Sequence, residues 1–227
     1  MHSIKVTFGR AVFIALLFLS SIQLPVFASD IQAMWVVRDY MTRPEYIDEA
    51  LKFAAENNFN HIFAQVRGRG DAYYKSDIVS RSDIVKSDFD PLDYILRQSK
   101  RFNIKIHAWI NVYYLWSASR MPTQDDHILK THPQWLDTKE FQYVNVKKML
   151  STMNRSRVPN GEGFFLAPTH PDVEKYLLNI ITELVRKYPV DGLHFDYIRY
   201  HDFEYGCLLY TSPSPRDQRG SGLAGCG

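Results

Sequence analysis

The sequence predicts an α/β protein on a parallel sheet, a TIM-type (β/α)8 barrel truncated after about its fourth strand, on three observations. Short apolar strands alternate with amphipathic helices between residues 33 and 198, an order that gives a parallel sheet with helices outside. Within each strand one face carries polar or aromatic groups that grow more polar towards the C-terminal end, as in a barrel lumen opening into an active site. No Gly-x-Gly-x-x-Gly follows the first strand and no phosphate-binding loop is present, which disfavours a doubly wound nucleotide-binding sheet.

Residues 1–28 read as a signal peptide. His2, Lys5 and Arg10 precede the apolar run Ala11–Leu19, and Val26-Phe27-Ala28 offers a small-residue cleavage site before Ser29. The run is too short for a comfortable membrane span, and no later segment approaches the roughly 20 apolar residues a span needs. The mature protein is therefore expected in the bacterial periplasm or outside the cell, with no membrane partner after signal cleavage.

Ala33–Asp39 is the first strand, with Trp35, Val37 and Asp39 on one face. Thr42-Arg-Pro-Glu45 reads as a capping box with Pro at a helix start, and Ile47, Ala50, Leu51, Ala54 and Ala55 carry that helix to about Asn57. His61–Arg67 is the second strand, with Phe63, Gln65 and Arg67 on one face, and it runs into Arg67-Gly-Arg-Gly-Asp71. Asp90-Pro91 caps a helix whose buried stripe is Leu92, Ile95 and Leu96. In the third strand, Ile104–Val112, the residues Ile104, Ile106, Ala108 and Ile110 face helices while His107, Trp109 and Asn111 face the lumen.

A long irregular region, about Ser117 to Thr169, holds His132-Pro-Gln-Trp135, a short strand near Tyr143–Lys147 and a polar loop over Asn154–Gly163. Connections of this length inside a compact domain are usually functional. Pro171 opens a helix with Val173, Leu177, Ile180, Ile181, Leu184 and Val185 on one face, stopped by Pro189. Gly192–Ile198 is the last strand and sets Gly192, His194 and Asp196 opposite Leu193 and Phe195.

From Cys207 the periodicity disappears and Gly, Ser and Pro dominate, with Leu208–Asp217 looking like a translated sequencing adapter. Residues 29–206 are therefore read as the N-terminal half of a barrel and 207–227 as a non-native or disordered tail. Both cysteines, Cys207 and Cys226, fall in that tail, so an exported fold of this kind needs no disulfide. A formal charge of +2 is too mild to argue for nucleic acid. Aromatic residues make up 14% of the chain, more than packing needs, and sugars stack on aromatic faces.

These segments resemble the bacterial glycosyl-hydrolase-like 10 family. The resemblance is carried by Phe63-Ala-Gln-Val-Arg-Gly-Arg-Gly-Asp-Ala-Tyr-Tyr74, His107-Ala-Trp-Ile-Asn111, His132-Pro-Gln-Trp135, Phe165-Leu-Ala-Pro-Thr-His-Pro171 and Val190-Asp-Gly-Leu-His-Phe-Asp-Tyr-Ile-Arg-Tyr200, in that order. It covers about Ile31 to Tyr200 and implies an exported barrel related to glycoside hydrolases, working without a cofactor. Asp196 takes the place of the nucleophile-like aspartate, and the implied substrate is an envelope or extracellular polysaccharide, peptidoglycan glycan strands being one candidate. Glycosidases canonically use two carboxylates. By the usual barrel arrangement the second, the general acid, lies beyond the fourth strand, so the fragment alone is expected to be inactive and poorly soluble.

Each site residue carries a plainer alternative. Asp196 is either catalytic or paired with Arg67 or Arg199 for structure, and Asp191, at the strand start, reads as structural. His194 binds a sugar hydroxyl, tunes Asp196, or joins it in a His-x-Asp metal pair; the first strand lacks the His-x-His of metal hydrolases, so no metal is expected. His107, Trp109 and Asn111 are substrate-binding residues, with Trp109 as stacking platform, or ordinary lumen packing. Arg67 and Asp71 are substrate-binding, although Asp71 equally suits closing its own loop. Trp135 reads as an anchor holding the long loop down. The rival functions are a non-catalytic glycan-binding barrel and, behind it, a metal-dependent hydrolase such as a deacetylase.

Overall fold

In chain order the protein has β1 (Ala33–Val36), α1 (Pro44–Glu56), β2 (His61–Arg67), α2 (Pro91–Ser99), β3 (Lys105–Asn111), β4 (Tyr114–Trp116), the one-turn helix α3 (Ile128–Thr131), β5 (Phe164–Phe165), α4 (Pro171–Lys187) and β6 (Gly192–Asp196). These come from a computed structural model that describes residues 30–86, 88–118, 120–137 and 163–201. The signal peptide expected over residues 1–28, the strand expected near Tyr143–Lys147, the loop expected over Asn154–Gly163 except Gly163, and the tail expected from Cys207 to the end, with Cys226, lie outside the described residues. The chain divides into residues 1–31 and residues 32–227, and the elements above belong to the second unit.

Strands β1, β2, β3 and β6 form one parallel sheet in the order β1-β2-β3-β6, so the predicted α/β class is the observed one. Alternation builds its two faces. Ile62, Ala64 and Val66 of β2 and Ile106, Ala108 and Ile110 of β3 are buried with Ile47, Leu51 and Ala54 of α1, Leu92 and Ile95 of α2, and Val173, Ile180 and Leu184 of α4 in one hydrophobic cluster. At about 1.5–3 kcal/mol for each fully buried large apolar side chain, this layer holds the sheet. Strands β1 and β6 are the sheet's edges, and the exposure of Trp35 (53%) and Phe195 (40%) marks them.

The helix starts follow from their caps. Asp90 Oδ1 accepts the Asp93 N–H at 3.2 Å ahead of α2, and His170 Nδ1 accepts the Asp172 N–H at 3.2 Å ahead of α4, each satisfying a donor that the first turn leaves free. In α4, Asp172 and Glu174 open the helix and Arg186 and Lys187 close it, matching the helix dipole. The capping box expected at Thr42 does not form. Arg43 is the residue before α1, and the Thr42 hydroxyl donates backwards to the Asp39 carbonyl at 2.8 Å.

Three further departures from the sequence reading are local. The first strand stops at Val36 because the chain turns into a 3-10 segment, Arg38–Met41, and the Arg38 N–H donates to Gln65 Oε1 at 3.1 Å. A small antiparallel pair joins β4, just after the predicted third strand, to β5, which lies in the region expected to be irregular. A bulge between Gln65 and Arg67 pairs Arg67 with Ile110, a helix-facing position, so strict alternation fails for Arg67.

The loop after β2 is tied to α4. Buried Glu183 accepts from the Ser76 hydroxyl and from the Asp77 N–H at 2.6 Å, and Lys187 bridges Glu183 and Asp77 at 2.9 and 2.6 Å. Half-buried Trp135 packs against His132, His170 and Tyr176 with centroids 4.1, 5.8 and 5.6 Å away, an anchor between its loop and α4. Among the described residues no helix is long and apolar enough to cross a membrane.

Candidate active site

Parallel register stacks the non-helical face of the sheet in layers. Trp35, Phe63, His107 and Gly192 align across the four strands, Gln65, Trp109 and His194 form the next layer, and Asn111 pairs with Asp196 at the C-terminal end. The end of a parallel sheet at which the strands finish is where barrel enzymes assemble their chemistry.

Two donors fix the Asp196 carboxylate. Trp109 Nε1 donates to Oδ2 at 3.2 Å, and the Tyr197 N–H donates to Oδ1 at 2.7 Å. Tyr197 has φ of 50°, a left-handed conformation that is uncommon for a bulky residue and is held only where packing over-determines it. That packing is present: the Tyr197 ring lies 4.6 Å from Tyr114 and 5.8 Å from Phe165, and its carbonyl accepts the Tyr113 N–H. The unexpected β4–β5 pair thus supports the turn that aims Asp196. Arg67 and Arg199 direct their bonds elsewhere, Arg199 to the carbonyls of Tyr200 and His201.

His194 sits in an aromatic wall, its ring 5.0 Å from Phe63, 6.0 Å from Trp109 and 6.1 Å from Trp35. Trp109 is therefore both part of this aromatic wall and the carboxylate's donor. Asn111 is buried, with Nδ2 donating to the Gly68 carbonyl at 3.0 Å and Oδ1 accepting from Gln65 Nε2 at 3.4 Å; its side chain ties the glycine-rich loop to the sheet.

His107, Arg67 and Asp71 are committed to partners other than Asp196. His107 lies a layer down, where Nε2 meets His61 Nδ1 at 2.7 Å and the two rings stack at 7°. Burial, with His61 next, pushes the His107 pKa down. Gly192 makes room for this ring, since a Cβ there would lie 2.6 Å from His107 Nδ1. Arg67 is fully buried and donates to the carbonyls of Asn111 and Val112, bracing the end of β3. The bulge accounts for that placement. Asp71 is buried and accepts the Arg69 N–H at 2.8 Å, closing its loop. Asp191 accepts the Ile106 N–H at 2.8 Å, a structural tie at the sheet's opposite end.

His61 and His127 enter the site's framework without a sequence signal, whereas Gln65 stands on the strand face that alternation gives it. His127 is fully buried, its Nδ1 accepts the Leu129 N–H, and its Nε2 therefore donates to the Arg69 carbonyl at 3.0 Å. Burial pushes its pKa down, so it holds the glycine-rich loop as a neutral ring. Gly70, at φ of 73°, passes so close that a Cβ would lie 2.5 Å from Leu115. Among the described residues no three His, Cys, Asp or Glu side chains gather as metal ligands.

The family model for glycosyl hydrolase-like 10 proteins matches residues 17–220. Glycosyl hydrolase DigH of Escherichia coli K12 is 30% identical over 143 residues, 60% of this chain and 30% of DigH. Glycosyl hydrolase YngK of Bacillus subtilis is 22% identical over 162 residues, 68% of this chain and 28% of YngK. The chain thus spans about 30% of the length of these curated relatives. Among solved structures, a hypothetical protein from Ruminiclostridium thermocellum superposes with a TM-score of 0.52 at 17% identity, covering 74% of this chain and 78% of that one. Alpha-L-fucosidase isoenzyme 2 from Paenibacillus thiaminolyticus gives 0.51 at 18% identity, covering 73% and 23%. At such identities the likeness is one of fold.

Proposed function

The chain belongs to the glycosyl hydrolase-like 10 family, and from that premise we propose that it supplies four strands of a (β/α)8 barrel that cleaves glycosidic bonds. The substrate in this reading is an envelope or extracellular polysaccharide, with peptidoglycan glycan strands a candidate, and the protein acts after export. The observation that carries it is Asp196, at the C-terminal end of a parallel strand, with one carboxylate oxygen on Trp109 Nε1 and the other on the Tyr197 N–H.

In this mechanism Asp196 attacks the anomeric carbon or stabilises the oxocarbenium-like transition state, while a second carboxyl group protonates the leaving oxygen. Both hydrogen bonds to Asp196 come from groups that the sheet and the Tyr197 turn hold still, so the carboxylate needs little reorganisation during reaction. His194 hydrogen-bonds a sugar hydroxyl, and the aromatic wall of Trp35, Phe63 and Trp109 packs a sugar face. That wall also favours the second reading, a barrel that binds glycan without cleaving it. Asp196→Asn in the full-length protein separates the two: loss of glycan cleavage with binding retained supports catalysis, and unchanged cleavage removes Asp196 from the role.

A further inference from the structure

The loops after β1, β2 and β4 meet around a recess of about 90 Å³, much smaller than the several hundred Å³ of a site that encloses a whole small ligand. Each loop brings an arginine to it: Arg38, Arg69 and Arg120. Arg38 reaches the recess across Gly68, where a Cβ would lie 2.6 Å from the Arg38 Cδ, so the glycine is what allows the side chain through. Arg69 is steadied by Nε donating to the Ser117 hydroxyl at 3.0 Å, which leaves its terminal amino groups to donate. The backbone of Arg120 is pinned where its carbonyl accepts Trp116 Nε1 at 2.8 Å.

Three carboxylates share the recess, and two are already engaged. Asp71 accepts the Arg69 N–H and Asp83 accepts the Thr123 hydroxyl at 2.7 Å, while Asp39 is exposed at the rim. Among the described residues none of the three arginines forms an ion pair with them. Three arginines lining one recess from separate loops, with no ion pair to its carboxylates among the described residues, suit a planar anion that guanidinium N–H donors can grip. The balancing acids suit a singly charged group better than a dianion.

We propose that this recess is a subsite for a carboxylate carried on the glycan, so that the protein prefers acidic polysaccharide to neutral; the inference rests on the glycan-cleaving or glycan-binding reading above. Calorimetry on the purified full-length protein tests it with a glucuronate-containing oligosaccharide, the same oligosaccharide with its carboxyl groups reduced to alcohols, its sulfated counterpart, and a neutral N-acetylglucosamine oligomer. Charge-assisted bonds of this kind predict about ten-fold tighter binding of the acid than of its reduced form. Arg38→Gln or Arg120→Gln should shrink that ratio towards one while the melting transition stays cooperative. Equal affinity for the acid and reduced forms overturns the subsite and leaves the glycan reading standing. Tightest binding of the sulfated form overturns the carboxylate assignment, and failure to bind any of the four overturns both the subsite and the glycan reading.

Discussion

Gly192→Ala is expected to destabilise the protein through a single contact, the His107 ring. The Ala Cβ would stand 2.6 Å from His107 Nδ1 and 3.3 Å from Cε1, roughly 1 Å inside ordinary contact. The ring has little freedom to retreat, because His61 holds its other nitrogen at 2.7 Å and Phe63 lies 4.9 Å from its centroid. Overpacking of this kind costs about 1–3 kcal/mol, which at this chain length corresponds to about 2–4 °C of melting temperature per kcal/mol. Urea unfolding of four proteins measures it: the parent, Gly192→Ala, His107→Ala and the double variant. The clash predicts that Gly192→Ala costs about 1–3 kcal/mol with His107 present and under about 0.5 kcal/mol in the His107→Ala background, a coupling that a double-mutant cycle isolates. An equal cost in both backgrounds would show that the added methyl does not meet the His107 ring.

Trp109→Phe removes one of the two donors to Asp196 while keeping an aromatic ring. Glycan cleavage should fall about ten-fold with a stability change of about 1 kcal/mol, read from initial rates and melts; full activity would show that the Trp109 bond does not matter. His107 and His127 both have folded pKa values depressed below the ordinary 6.5, so the neutral forms belong to the folded state. Their contribution to stability is complete above about pH 6.5 and is lost as pH falls from there towards the depressed values. Melts from pH 8 to pH 5 should show this acid loss, reduced in His127→Gln, and a flat profile would contradict it. Glu183→Ala leaves the Ser76 hydroxyl and the Asp77 N–H without their acceptor and should cost about 2–3 kcal/mol, detectable by urea unfolding and by faster proteolysis within residues 75–80.

Strands β2 and β3 and helices α2 and α4 were legible because period and cap agree in them. Asp90-Pro91 announces α2, and the alternation of Ile106, Ala108 and Ile110 with His107, Trp109 and Asn111 assigns both faces of β3. Where a long-range contact decides, the sequence is mute. The β4–β5 pair joins Tyr114–Trp116 to Phe164–Phe165, segments too short to show a period. His61 and His107 stand 46 positions apart, and a lone histidine on each strand does not announce a partner. Arg67 departs from the face that strict alternation predicts for a related reason, since one extra residue in a bulge changes which neighbour it faces and no residue type marks that bulge. Thr42 offered the right letters for a capping box, but the chain had already turned at Arg38–Met41 and its hydroxyl went to Asp39. The strand-end position of Asp196 is legible in the sequence, while the Tyr197 turn and the Trp109 donor that orient its carboxylate are visible only in three dimensions.

The role proposed for Asp196 is a part in breaking a glycosidic bond. The direct measurement is product release from glycan by the full-length protein and by its Asp196→Asn variant, with calorimetric binding and melting recorded on both. Cleavage is expected to fall at least about a hundred-fold while binding and the cooperative melt persist, the pattern of a group that acts in the transition state. Cleavage by the variant at the parent's rate would contradict it.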